Sequence, residues 1–317
     1  MVACTGPTAN DSAMALTSII IPTHDRPELL QRAVESARRA GAEIEIVVVD
    51  DGSTDETSAV CASLEGIVYV RLEQRRGVGH ARAAGMAASS GTYISFLDDD
   101  DARLEGSIDR QLAILEAAPD AALVYGQVYS ASQSLAIDVQ RLFPPLCPSG
   151  DIFWILIGSN FIASCSAVVR RSAIESVGGM FSEVMPADDW DLWLRIAERY
   201  PVAVLPEPVS IYRQPTLWSK QGSSRFAEGL LSADRRVLER CAKLPRAMAN
   251  PRAFRRAARR MKRFVCGRLL AETLEAARRG DSYAFVSLRH AVATPAAFVH
   301  ALLSPRTWRK LTERVGS

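Results

Sequence analysis

The chain has 317 residues, 48% of them hydrophobic and 23% charged, and a net charge of +2, which suits one large soluble core with or without an appendage. Its longest apolar stretches, such as Ile44 to Val49 and Phe153 to Ile157, are far too short to span a bilayer, and Met1 to Leu16 lacks the basic and apolar regions of a secretory signal. The six cysteines form no CxxC and no metal-type spacing, which points to reduced thiols in a cytoplasmic protein.

Residues 1–16 read as a disordered lead-in. Ser18 to Pro22 reads as a buried strand, and Asp25, Pro27 and Glu28 as the start of a helix that Gly41 ends. Ile44 to Val49 is a second buried strand, running into Asp50-Asp51-Gly52-Ser53. A helix over Thr54 to Ser63, a strand over Ile67 to Leu72 and a helix over Gly77 to Ser89 follow. Tyr93 to Leu97 is a strand that ends in Asp98-Asp99-Asp100-Asp101. Helix and strand continue as Leu104 to Ala117 and Ala121 to Val128. The Pro-rich stretch Ser130 to Gly150 reads as a mobile loop over a site. Ser164 to Val169 is a strand, and Asp188 to Arg199 a helix with Trp190, Leu194 and Ala197 on one face. Past Phe226 the pattern is nearly all helical. Strands alternating with helices at this spacing define an α/β chain with a mainly parallel sheet.

Three groups of carboxylates fall at element ends: Asp50-Asp51, Asp98 to Asp101, and Asp188-Asp189 with Asp191. Singly, Asp51-Gly52 also fits a turn and Asp188 an N-cap. Together they fit a division of labour. One carboxylate accepts hydrogen bonds from a base or ribose, a second group holds a hard divalent cation on a diphosphate, and a third takes the proton of an attacking hydroxyl. In open α/β sheets, ligands bind at the carboxyl ends of strands, where the first two groups sit.

Four segments, Ser18 to Arg26, Val49 to Asp55, Phe96 to Asp101 and Asp188 to Arg195, resemble in order and spacing the successive motifs of the family 2 glycosyltransferases. The resemblance covers about Thr17 to Arg213. It implies the GT-A fold, Rossmann-like with helices flanking the sheet. It also implies inverting transfer of a sugar from a nucleotide-diphosphate donor, UDP-linked by preference, helped by Mg²⁺ or Mn²⁺. The implied acceptor is a hydroxyl of a glycan or lipid-linked glycan, as in cell-envelope polysaccharide. By motif position, Pro22 and Thr23 line the nucleoside pocket, Asp51 contacts the base and Arg82 lies near the nucleotide. Asp98 and Asp100 form the DxD pair, with Asp100 the direct metal ligand and Asp99 beside it. Asp189 is the general base, and Gly178-Gly179-Met180-Phe181 resembles the glycine turn before its helix. The sequence departs from the family at His24, Asp25, Ala83 and Asp188. It lacks Gln-x-x-Arg-Trp, unlike a processive synthase. A catalytically inert nucleotide-sugar binding module would have lost the DxD or the base. A sugar nucleotidyltransferase would carry a glycine-rich, Lys-bearing phosphate loop after the first strand, absent here.

Charge divides the chain into a catalytic part over 17–224 and a basic helical region over 225–317. From Arg225 to Ser317 there are 21 Lys+Arg and 7 Asp+Glu, a balance of +14 that leaves −12 for the rest. Arg252, Arg255, Arg256, Arg259, Arg260, Lys262 and Arg263 crowd one helical stretch beside Phe254, Met261 and Phe264. Such a stretch fits either peripheral contact with an anionic membrane at its inner face or a solvated packing appendage. Nucleic acid is disfavoured, since aromatic residues are sparse and no known module is present.

Overall fold

A computed structural model describes residues 16–131, 137–180, 187–213 and 235–278. The lead-in over 1–15, Phe181 and the boundary at 224–225 lie outside them. In chain order the elements are β1 (Thr17–Thr23), α1 (Pro27–Arg38), β2 (Ile44–Asp50), α2 (Thr57–Ser63), β3 (Ile67–Arg71), α3 (Val78–Ala88), β4 (Tyr93–Phe96), β5 (Ala102–Arg103) and α4 (Ser107–Ala117). Then come β6 (Leu123–Ala131), β7 (Ile137–Phe143), α5 (Phe153–Gly158), β8 (Ala167–Arg170), α6 (Arg171–Ser176), α7 (Asp188–Arg199) and β9 (Val202–Arg213). Helical residues 235–241 (α8), α9 (Pro245–Ala249) and α10 (Pro251–Arg278) complete the described chain.

The strands form one sheet in the order β3-β2-β1-β4-β8-β6-β9-β5, with β7 added alongside β6. The β3-β2-β1-β4 half is parallel throughout. The period of two along each strand divides the core between its faces. On β1, Ile19 and Ile21 pack with Leu30, Ala33, Val34 and Ala37 of α1, while Ile20 packs with Ala81 of α3. On β2, Ile46 and Val48 join the first cluster and Val47 and Val49 the second. Burial on both faces is why Ile19 to Ile21 and Ile46 to Val49 read as unbroken apolar runs. Gly85 lets α3 lie close on the sheet, since a Cβ there would come within 2.4 Å of Ile20 and 2.9 Å of Val49.

The parallel β1-to-β4 core forms as the sequence predicts, and the differences lie outside it. The stretch predicted as a mobile loop, Ser130 to Gly150, contains β7, whose backbone pairs antiparallel with β6. Beyond it, Gln127 donates to the Pro144 carbonyl at 2.8 Å and Tyr125 to the Pro148 carbonyl at 2.7 Å. Strand β9 is legible only in three dimensions, because Pro206 and Pro208 argue against a ladder strand. The register with β6 shifts there, from Gly126 opposite Leu205 to Gln127 opposite Pro208, and this bulge leaves Pro206 and Glu207 out of the ladder. Helix α4 begins at Ser107 rather than Leu104, because β5 pairs with β9 and Gly106 turns the chain at φ 62°.

The C-terminal helices are fastened to α5 and α7. Val237, Cys241, Ala257 and Met261 share a core cluster with Phe153, Leu156 and Trp193. Arg240 Nε donates to Asp191 on α7 at 2.7 Å. Among the described residues no helix is long and apolar enough to cross a membrane.

Candidate active site

The carboxyl ends of β1, β2 and β4 open onto one edge of the sheet. At the end of β1, the Thr23 hydroxyl donates to Asp99 Oδ2 at 2.9 Å, and the Arg26 guanidinium reaches Asp99 at 2.9 Å and Asp100 at 3.2 Å. Pro22 is buried beside Val49 of β2. Asp25 takes a positive φ of 51°, which Asp tolerates better than most residues. Its carboxylate accepts the Thr54 amide at 2.8 Å, so it ties the β1 and β2 loops together instead of capping α1. That bond holds the Asp25 carboxyl below its ordinary range.

After β2, the two oxygens of buried Asp51 each accept a backbone amide, from Arg76 and Gly77, both at 2.7 Å. Asp51 thus fixes the loop that leads into α3. Gly52 makes that crossing possible, with φ 69° and a position where a Cβ would lie 2.6 Å from the Arg75 nitrogen.

The acidic run after β4 alternates. Asp99 and Asp101 are buried, whereas Asp98 and Asp100 are half-exposed. Asp101 accepts the Arg213 amide at 2.9 Å, which joins the run to the end of β9. Oxygens of Asp98, Asp100 and Asp101 all lie within 4.8 Å of one another. Burial raises the Asp99 carboxyl to about 7 against the pull of Arg26. Burial, then Asp98, raises Asp100, and burial with Asp100 and Asp98 raises Asp101 well above the carboxylate range. An oxygen-only set of crowded carboxylates suits a hard cation such as Mg²⁺ or Mn²⁺, which would offset their mutual repulsion.

The head of α7 faces this run across Arg82. The buried Arg82 guanidinium donates to Asp98 at 2.6 Å and to Asp188 at 2.8 Å, and lies 5.8 Å from the Phe96 ring centre. Both carboxylates hold the charged form of Arg82 above its ordinary range despite burial. Asp191 is taken by Arg195 at 2.8 Å and by Arg240. Among the described residues, Asp189 alone of these three carboxylates is in no ion pair. It is half-buried and accepts the Trp190 amide at 2.6 Å, and burial followed by Asp188 pushes it up to about 7. Trp190 donates its indole N–H to the Leu156 carbonyl of α5 at 2.9 Å, and Trp193 fills the core. Gly178 and Gly179, at φ 88° and 78°, make the turn before α7.

All eight residues that the resemblance singled out lie on this edge or beside it. Pro22 and Thr23 end β1, Asp51 follows β2, Arg82 lies on α3, Asp98 to Asp100 follow β4, and Asp189 opens α7. Thr23, Arg26, Asp99 and Asp100 form one hydrogen-bonded group and Asp98, Arg82 and Asp188 a second, the two adjoining along the acidic run, while Asp51 joins a separate loop network. Sequence reading did not assign Arg26, Asp101 or Arg213 to the site. Arg26 stands inside the first motif and Asp101 inside the third, so adjacency was an available signal. The Arg213 contact required β9.

The arrangement has relatives. The Glycosyl transferase family 2 model matches residues 18–178, so the chain belongs to that family. It is 29% identical over 220 residues to an uncharacterized glycosyltransferase of Rickettsia felis, a match covering 67% of this chain and 36% of that protein. An uncharacterized protein of Mycobacterium tuberculosis is 28% identical, over 63% of this chain and 68% of its own. The chain thus spans little more than a third of the first of these relatives. In fold it resembles S. aureus TarS 1-349 in complex with UDP-GlcNAc, with TM-score 0.55 and 16% identity over 87% of this chain and 91% of that one. It also resembles a mannosyltransferase of Pyrobaculum calidifontis in complex with GDP-Man and Mn²⁺, with TM-score 0.55 and 18% identity over 95% and 84%. These likenesses identify the fold as GT-A.

Proposed function

We propose that the protein is an inverting glycosyltransferase that moves a sugar from a nucleotide-diphosphate donor, UDP-linked by preference, to a hydroxyl of a glycan or lipid-linked glycan. The observation that carries this reading is the Arg82 bridge. One buried guanidinium holds Asp98 of the acidic run and Asp188 at the head of α7, so the carboxylates suited to a diphosphate-bound cation and the carboxylate of Asp189 belong to one constellation. The nucleotide-sugar complexes of the two fold neighbours support the donor class.

In this mechanism Asp98 and Asp100, with Asp101 behind them, would hold Mg²⁺ or Mn²⁺, which would supply positive charge against that developing on the leaving diphosphate. Thr23 and Arg26 fix Asp99 and keep the run in place. Asp51 holds the 76–77 backbone as one wall of the nucleoside pocket that Pro22 helps to form. Asp189 accepts the acceptor hydroxyl's proton as its oxygen attacks the anomeric carbon opposite the diphosphate. Affinity for a proton near neutrality suits a general base. Retention of Asp98, Asp100 and Asp189 disfavours an inert binding module. We place the catalytic domain over 17–224, the basic region over 225–317, and the working site at the cytoplasmic face of a membrane.

The test is calorimetric titration with UDP-, GDP-, dTDP- and CMP-sugars with and without Mn²⁺, beside donor turnover in the same preparations. Binding that strengthens with Mn²⁺ and turnover of the bound donor are expected. Binding without turnover on any hydroxyl acceptor would return the inert module.

A further inference from the structure

We infer that the outer face of α10 is a docking surface for an anionic lipid bilayer. Between Pro251 and Cys266 the helix carries seven cations and no carboxylate. At 3.6 residues per turn, Arg252, Arg255, Arg256, Arg259, Lys262 and Arg263 fall within an arc of roughly 120°. All six are exposed. None has an ion-pair partner among the described residues. The opposite arc is spent inside the protein. Ala257 and Met261 are buried with α5 residues Phe153, Leu156 and Ile157, Phe254 and Val265 pack against the same cluster, and Gly158 makes room for the Arg260 stem.

This face works against the fold that carries it. The pairs Arg252–Arg256, Arg255–Arg259 and Arg259–Arg263 are like charges four apart, which destabilise a helix. The first turn holds Arg252 and no acidic residue, against the helix dipole, although Asn250 caps it by accepting the Ala253 amide at 3.1 Å. An external negative surface would relieve both costs. Because the apolar arc already packs on α5, the helix cannot bury it in lipid, so attraction is mainly electrostatic. Phe264 is 44% exposed but falls about 80° beyond the edge of the basic arc, so contact is left to the cations. The site is close by. Helix α5 touches α10 on one side and accepts the Trp190 indole N–H, next to Asp189, on the other. The choice of a bilayer over another polyanion rests on the proposed lipid-linked acceptor; the charged surface itself does not.

The experiment is co-sedimentation of the full chain with phosphatidylcholine vesicles, and with vesicles holding about 30 mol % phosphatidylglycerol, at about 0.1 M and about 1 M salt. Donor binding is measured in parallel by calorimetry with UDP and Mn²⁺. Wild-type protein should pellet with the anionic vesicles only, and release at high salt. Replacing Arg255, Arg256, Arg259, Lys262 and Arg263 by Gln should lower partitioning at least about tenfold, as loss of several surface cations requires. UDP binding should stay unchanged. Replacing the four arginines by Lys should preserve partitioning, which separates charge from fold. Pelleting that survives high salt, or equal pelleting of the Gln variant, would overturn the inference. So would tighter, salt-sensitive binding of duplex DNA through the same residues. Vesicle binding without UDP binding would leave the surface standing and remove UDP as the donor nucleotide instead.

Discussion

Arg82 and Asp188, 106 residues apart in sequence, meet as a buried ion pair with 2.8 Å between Nη1 and Oδ2. The other guanidinium nitrogen holds Asp98. A side chain on α3 therefore fixes the distance between the end of β4 and the start of α7. Removing one partner of a buried pair leaves an uncompensated charge, which costs far more than the pair contributes. Arg82→Ala should lower stability by about 3–5 kcal/mol, read as a fall in denaturant midpoint at unchanged m-value. Arg82→Lys should recover part of this, since one ammonium cannot span both carboxylates as the planar fork does. A loss below about 1 kcal/mol in the Ala variant would mean that Asp188 finds another partner.

Asp189→Asn keeps the shape of the α7 head and removes the basic lone pair. Turnover should fall by about 10²-fold or more while the donor dissociation constant stays at the wild-type value. Asp188 and Asp191 cannot take over, because Arg82, Arg195 and Arg240 already hold them. Near wild-type turnover would move the base to another residue. Joint loss of binding and turnover would make Asp189 a donor ligand.

The same residue sets a pH dependence. Burial and Asp188 push Asp189 up to about 7, and a base acts in its ionised form. The kcat/KM profile should therefore rise with pH through about 7 and level off above it, not near ~4 as an unperturbed Asp would give. The slope should be one, and the limb should disappear in the residual activity of Asp189→Asn.

Metal should act on stability with a definite sign. Asp99, Asp100 and Asp101 are all raised in the folded protein, so the fold binds protons there more tightly than the unfolded chain does. Their contribution is fully present below the unfolded pKa near ~4 and is lost as pH rises through the folded values, for Asp99 about 7. At a pH of about 8, Mn²⁺ at a hundred times its dissociation constant should restore about 2.7 kcal/mol, seen as a higher Tm. Asp100→Ala should abolish most of this rise and the metal-dependent part of UDP binding. An unchanged Mn²⁺ response would place the cation elsewhere.

Asp51→Ala frees two backbone amides that Asp51 now holds, so the 76–77 loop loses its anchor. Donor binding should weaken by about 1–3 kcal/mol, equally with and without Mn²⁺. Calorimetry in both conditions checks it. A loss confined to the Mn²⁺ arm would assign Asp51 to the metal site.

The β1-to-β4 core was legible because its information is local. Ile19 to Pro22 and Ile46 to Val49 are apolar on both faces, and the carboxylates follow close behind where β2 and β4 stop. The choice of Asp51, Asp98, Asp100 and Asp189 among these carboxylates comes from the family resemblance, by motif position; the element ends alone mark only the three acidic groups. Partners could not be named this way. That Thr23 and Arg26 hold Asp99, that Arg82 joins Asp98 to Asp188, and that Arg213 reaches Asp101 depend on pairings across 16 to 112 residues. Periodicity carries no such information. The strand β9 was hidden for a related reason. Pro206 and Pro208 break the local pattern, and only the register shift at Gly126 and Gln127 takes Pro206 out of the ladder and leaves Pro208 at the irregularity. Residue order alone marks which groups are acidic and, in the β1-to-β4 core, about where elements end. Contacts distant in the chain set which carboxylates pair with a guanidinium, as Asp188 and Asp191 do, and which, like Asp189, are in no ion pair among the described residues.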